Sequence, residues 1–150
     1  MRAYDYEHVV TFEDTNLVGN VYFVRYVSWQ GRCRELFLRD HAPDVVDELA
    51  RDLRLVTTRV SCDFFAELQV LDTVVVRMTL RAVSQTRVAM AFAYLRRMPD
   101  GEELVARGEQ EAACLRVDGA GAAPVALPRQ LREALDDYGA PLAGPNGGGP

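Results

Sequence analysis

Cysteine, histidine and long apolar runs are all scarce in this chain, and each scarcity removes a class of function. The three cysteines, Cys33, Cys62 and Cys114, are odd in number, far apart and set among apolar residues. They read as small core side chains in a reducing compartment, not as a disulfide framework. Only His8 and His41 stand beside them, so no zinc ligand set is evident, and the long helix read below carries no metal-binding histidine pair. Phosphate-loop, flavin and nicotinamide glycine patterns are missing as well. The expectation is no metal and no cofactor. No stretch approaches the roughly eighteen apolar residues of a membrane span. The opening MRAYDYEH has neither an apolar run nor a small-residue cleavage site. A cytoplasmic protein without a membrane partner is therefore expected. Seventeen basic residues face 22 acidic ones, for a net charge of −5, which leaves no basic footprint for nucleic acid. Arg25, Arg32 and Arg39 form a local basic stripe on one helix, either a dock for an acidic carrier protein or a solvated face.

What is present suits one compact domain: 150 residues, 49% of them hydrophobic. Tyr6–Phe12 alternates as a strand does, and Glu13–Asn16 is a polar turn. Gly19-Asn20 permits positive φ or close backbone approach. From Val21 to about Leu38 the spacing is helical through Tyr22, Tyr26, Trp29, Cys33, Leu36 and Phe37. Gly31 interrupts that helix at a cost of roughly 1 kcal/mol against alanine, either to allow a tight crossing over a sheet or as a plain imperfection. His41-Ala42-Pro43 closes the helix, and 44–50 adds a short helical turn.

After that the period changes to two. Leu53–Asp63, Thr73–Val83, Arg87–Arg97 and Leu104–Val117 read as strands, the last three joined by turns at 84–86 and 98–101. In 88–94 large residues alternate with Ala89, Ala91 and Ala93, a pattern that can press its small face on a helix. The order predicts an α+β fold, one helix across a curled five-stranded antiparallel sheet, within residues 1–118. The other sheet face is left open, and strands this apolar predict an oligomer with no free monomer. Residues 119–150 hold seven of eleven glycines and five of seven prolines. They read as a tail with a short helix over 127–138 and a disordered end, PLAGPNGGGP.

Two polar residues stand out against this frame. Asn16 lies in the turn before the long helix and Arg34 lies along its body, a carboxamide and a guanidinium in one helical unit. Such a pair suits polarising an acyl group with donors more than attacking it. Asn16 is equally a turn or capping residue, and Arg34 equally a side chain that snorkels or pairs with Asp14 or Glu35.

The pattern Asp14-x-Asn16-x-x-Gly19-x-Val21-x-x-x-x-Tyr26, with the helix and Asp72 at a strand entry, resembles the hot dog fold in its 4-hydroxybenzoyl-CoA thioesterase-like branch. The likeness runs from about Tyr6 to Val117. Asn16 stands where many of these enzymes carry a catalytic aspartate, and Asn20 where many others carry a histidine. With Tyr22-Phe23, the run 26–31 (YVSWQG) and Arg34-Glu35, this is closely similar to the thioesterases of enediyne biosynthesis. The resemblance implies hydrolysis of a long conjugated β-keto polyenyl thioester held by phosphopantetheine on the carrier domain of an iterative polyketide synthase, with decarboxylation to a methyl ketone polyene possible. It implies Asn16 and Arg34 as site residues, Tyr26 with Tyr22 along a substrate channel, and a homodimer pairing into a homotetramer.

Thioester hydrolysis builds negative charge on the carbonyl oxygen, and fixed donors aimed there are the largest catalytic contribution. The amides of Gly19, Asn20, Val21 and Tyr22 at the helix start are candidates. Asn16 can donate to the acyl oxygen but is too weak a base to take a proton. Arg34 can fork onto a second oxygen or a carboxylate. Glu67, in FFAE between strands, is a rival general base, and Asp14 a second rival whose structural role is to hold the turn. A general acyl-CoA thioesterase and a non-catalytic acyl-binding protein remain alternatives.

Overall fold

A computed structural model describes residues 2–138; the expected disordered end lies outside the described residues. In chain order the elements are β1 (Tyr4–Val9), a 3-10 turn (Phe12–Asp14), α1 (Val24–His41), α2 (Pro43–Leu49), β2 (Leu53–Phe64), β3 (Thr73–Val83), β4 (Arg87–Met98), β5 (Gly101–Asp118), β6 (Gly121–Pro124) and α3 (Arg129–Asp136). The sheet is antiparallel in the order β1-β3-β4-β5-β2, with β6 added to β5. It curls around α1 in the hot dog arrangement. No helix among the described residues is long and apolar enough to cross a membrane.

The core forms because two periods meet. Helix α1 buries Tyr26, Trp29, Gln30, Cys33, Phe37 and Leu38, a stripe of one face at helical spacing. Strand β4 buries Val88, Met90, Phe92 and Tyr94 beneath it, with Val76 opposite Tyr94 and Met78 opposite Phe92 on β3. The bulky face of β4 therefore meets the helix and the alanine face points away, the reverse of the sequence expectation. Burying four large side chains instead of three methyl groups removes far more apolar surface from water, which decides the orientation.

The opposite sheet face is not the apolar surface expected either. Ala91 and Ala93 floor a groove of about 810 Å³ whose walls include Arg59, Arg77, Arg81, Arg107, Asp63 and Glu109. Several of these are paired across strands, Arg77 with Asp5 and Glu102, and Arg81 with Glu109. Exposed apolar side chains gather elsewhere: Leu17 and Val18 at the turn, Phe23, Val24 and Val27 at the start of α1, Phe64 and Phe65 at the end of β2. The Phe64 ring lies 4.8 Å from that of Tyr26, which joins the β2 end to the helix start.

Helix α1 starts three residues later than its spacing suggests. Val21 and Tyr22 donate their amides to the carbonyls of Leu68 and Asp14, so both residues belong to the turn. At the other end the helix continues to His41, and Pro43 opens α2, a first-turn position where a missing N–H costs nothing. The packed unit also continues past Asp118. Strand β6 pairs with β5, and α3 packs Leu131 and Leu135 into the core beside Leu127 and Tyr138. Tyr138 and His41 approach at 2.9 Å through Oη and Nε2.

The close helix–sheet crossing falls at Gly108, not at Gly31. A Cβ on Gly108 would overlap Nε2 of Gln30 and lie 2.7 Å from the Ser61 carbonyl oxygen, whereas a Cβ on Gly31 would touch nothing within 4 Å. Gly31→Ala is accordingly expected to stabilise the fold by about 0.5–1 kcal/mol, and Gly108→Ala to destabilise it by about 1–3 kcal/mol through overpacking. Urea midpoints of the two variants check the opposite signs.

Candidate functional site

The turn that carries Asn16 is built from its anchors inward. Asp14, 5% exposed, accepts from the Thr11 amide at 3.0 Å and faces His8 Nε2 at 2.8 Å, with Arg25 at 4.0 Å. Burial alone would raise the Asp14 carboxyl, but the His8 and Thr11 hydrogen bonds and the nearby positive charge outweigh it and hold the pKa below the usual carboxylate value. His8 is itself fixed by the Tyr6 hydroxyl on Nδ1 at 3.0 Å and by the Trp29 ring at 5.0 Å. Asp14 is thus an anchor for the turn and remains ionised, in line with its structural reading.

Between Thr15 and Val21, which bridge antiparallel, the chain makes a tight loop. The Asn16 amide donates to the Asn20 carbonyl and the Gly19 amide to the Asn16 carbonyl, while Gly19 takes φ +89. Asn16 Oδ1 accepts from the Val18 amide at 3.1 Å, an Asx turn that fixes the side chain and leaves its Nδ2 donor facing outward from an exposed residue. Of the four amides expected as oxyanion donors, those of Gly19, Val21 and Tyr22 are spent on backbone carbonyls. Asn20 is the one whose amide is not committed in this way among the described residues.

Arg34 sits along the body of α1 and makes no hydrogen bond with Asn16. Ten residues of helix separate it from Val24, a rise of about 15 Å. Its side chain is half-buried, and neither Asp14 nor Glu35 pairs with it. Nη1 donates instead to Gln110 Oε1 at 2.7 Å and Thr57 Oγ1 at 3.2 Å, and Nε is buried without a partner. Desolvation lowers its pKa, with the Glu35 charge opposing that shift, yet a guanidinium stays charged at neutral pH. Beside Arg34 the side chains of Phe37, Leu38, Leu55, Met90, Leu131 and Leu135, among others, close around an apolar cavity of only about 10 Å³, room for about one water.

The remaining candidates separate cleanly. Tyr26 is 3% exposed, packed between Trp29, Phe64 and Tyr94, and its carbonyl accepts the Tyr94 hydroxyl at 2.7 Å. It is a core residue whose burial pushes the phenol up to about 12, and neither it nor Tyr22 lines the cavity at Arg34. Tyr22 is half exposed and rests edge-on against Phe23. Glu67 is an exposed loop residue, the setting of the solvated reading. Burial pushes the Cys33 and Cys62 thiols up to about 12 and about 11, which leaves no thiolate nucleophile at neutral pH. Among the described residues no group of His, Cys, Asp and Glu could hold a metal ion.

Two polar residues of this region escaped the sequence reading, Gln110 and Gln30. Both are buried, at 4% and 0% exposed. Gln30 Nε2 donates to the Ser61 carbonyl at 3.1 Å. Gln110 was in reach of period-two reasoning, because it shares the inward side of β5 with Gly108 and Ala112 while Glu109 and Glu111 point outward.

Known proteins share this fold. The profile of the thioesterase-like superfamily matches residues 10–135. A crystal structure of the dynemicin thioesterase, described with bound polyene, shares 50% identity at TM-score 0.89, covering 93% of this chain and 99% of that one. A 1,4-dihydroxy-2-naphthoyl-CoA thioesterase from Synechocystis shares 24% identity at TM-score 0.75, over 91% and 97% of the two chains. A 4-hydroxybenzoyl-CoA thioesterase variant in complex with 4-hydroxybenzoyl-CoA shares 16% at TM-score 0.76, over 90% and 99%. These last two show the fold alone. No curated protein matches. An α1 wrapped by a curled antiparallel sheet, a fixed Asn16 turn, and the match across most of its length establish that the chain belongs to the thioesterase-like superfamily, as a hot dog thioesterase of the enediyne-associated branch acting on acyl thioesters.

Proposed function

We propose that this thioesterase releases a long, conjugated β-keto polyenyl chain from phosphopantetheine on the acyl carrier domain of an iterative enediyne polyketide synthase. The observation that carries the reading is Arg34, a half-buried guanidinium held by Gln110 and Thr57 and with no carboxylate partner among the described residues. An anionic oxygen of the substrate or product fits that charge. The likeness to the dynemicin thioesterase, whose structure was described with bound polyene, supports the substrate class.

In this reading Asn16 Nδ2 donates to the thioester carbonyl as water attacks carbon, and the uncommitted Asn20 amide adds a second donor to the forming oxyanion. The carbon–sulfur bond then breaks, the thiol leaves with a proton from the attacking water, and no side chain is acylated. A β-keto thioester is electrophilic enough to reduce the need for a strong base. The separation of Asn16 from Arg34 along α1 favours a site shared by two protomers, with Asn16 of one opposite Arg34 of the partner subunit. Two features support such a dimer: strand β2, twelve residues long, leaves one edge unpaired at the sheet margin, and exposed apolar residues surround the start of α1. Two dimers then pair as the tetramer. The freed β-keto acid loses carbon dioxide as its carboxyl proton passes to the keto oxygen, giving an enol that becomes the methyl ketone.

Two outcomes test this. Asn16→Ala and Arg34→Ala are each expected to lower kcat on the loaded carrier by about a hundredfold, and Glu67→Ala by less than about threefold; loss confined to the Glu67 variant refutes the assignment. Light scattering is expected to give a multiple of 16.7 kDa, and a monomer mass would remove the shared site.

A further inference from the structure

The contacts of Arg34 divide its charge from its position in a way that gives Gln110 a role. Strand β5 carries the run Glu109-Gln110-Glu111. The two glutamates point to the outer sheet face and are neutralised there, by Arg81 at 3.0 Å and Arg87 at 2.8 Å. The inward residue between them is the neutral amide, 4% exposed, and its Oε1 accepts from Arg34 Nη1 at 2.7 Å. A glutamate has the same shape and would make an ordinary buried ion pair here. Thr57, the second acceptor at 3.2 Å, is neutral as well. It sits where the β2–β5 register shifts between Thr57 and Arg59, an irregularity of the kind that re-aims a side chain near a functional site. Gly108 and Ala112, the inward neighbours of Gln110, are small and leave room for Gln30 and Arg34 to descend from the helix.

We infer that Gln110, assisted by Thr57, is a positioning residue that fixes the Arg34 guanidinium with uncharged acceptors, so that its full positive charge is held in place for an anionic oxygen of the substrate or product. A carboxylate at 110 would hold the same geometry and cancel that charge. A residue without an acceptor would leave the charge and release the geometry. The inference rests on Arg34 being the anion-binding group proposed above.

Gln110→Glu separates these contributions. With palmitoyl-CoA as thioester and palmitate as product inhibitor, Gln110→Glu is expected to lose about tenfold or more in kcat and to bind palmitate about tenfold more weakly, at an unchanged or higher melting temperature. A purely structural glutamine would not weaken palmitate inhibition in a variant that folds as well as the parent. Gln110→Met, of similar volume but with no strong acceptor, is expected to lose kcat with little change in KM, and serves alone if the glutamate variant fails to fold. Turnover and palmitate inhibition within about twofold of the parent in the folded variants overturn the inference. Arg34→Ala run in parallel keeps the two readings apart: if it is impaired while the Gln110 variants are not, only the role of Gln110 falls. If Arg34→Ala is itself unimpaired, the reading of Arg34 falls with it.

Discussion

A helix that turns a glutamine and an arginine toward a sheet must find hydrogen-bond partners there, because a buried polar group without one costs several kcal/mol. The sheet meets this demand in part along a narrow seam, leaving Gln30 Oε1 and Arg34 Nε buried without a partner. Gly108 lets α1 approach closely enough for Gln30 to reach the Ser61 carbonyl, and Gln110 and Thr57 receive Arg34 one turn further on. The rest of the interface is apolar, with Trp29, Cys33 and Phe37 over Phe92, Tyr94 and Val76. The seam therefore sets the register of the helix on the sheet, and through it the place of everything attached to the helix ends.

That register links two regions that do not touch. The turn at Asn16 is tied to β1 through Asp14 and His8, and to the loop after β2 through Leu68. The Arg34 cavity is closed by α3 from the far end of the chain. Helix α1 is the rigid rod between them, and its length is what places their chemistry in separate halves of the protomer. The site proposed to be shared across a two-fold axis would reconcile that separation with a single thioester.

Much of this was legible in the residues, and the failures have physical causes. The four long strands read correctly because period-two alternation and the MPDG turn leave few other solutions. The orientation of β4 did not, since alternation defines two faces without saying which is buried. Helix α1 was placed three residues early because Val21 and Tyr22 continue its apolar spacing, while the competing acceptors, the carbonyls of Leu68 and Asp14, are supplied by tertiary structure. Gly31 drew attention as an exception within a helix, yet the glycine that matters sits in a strand, where its need is visible only once Gln30 is above it. Asn16 and Arg34 were visible as residue types, whereas Gln110 was masked by the glutamates that flank it.

The Asn16 loop has one more consequence. It is pinned by main-chain bonds from the Asn16 amide to the Asn20 carbonyl and from the Tyr22 amide to the Asp14 carbonyl, and its carboxamide is held by the loop's own Val18 amide. The side chain at this tip contributes nothing to the interior. Mutation can therefore sample different chemical groups there, acidic or neutral, on an unaltered chassis. A lineage built this way can trade one hydrolytic strategy for another without first having to survive a loss of folding.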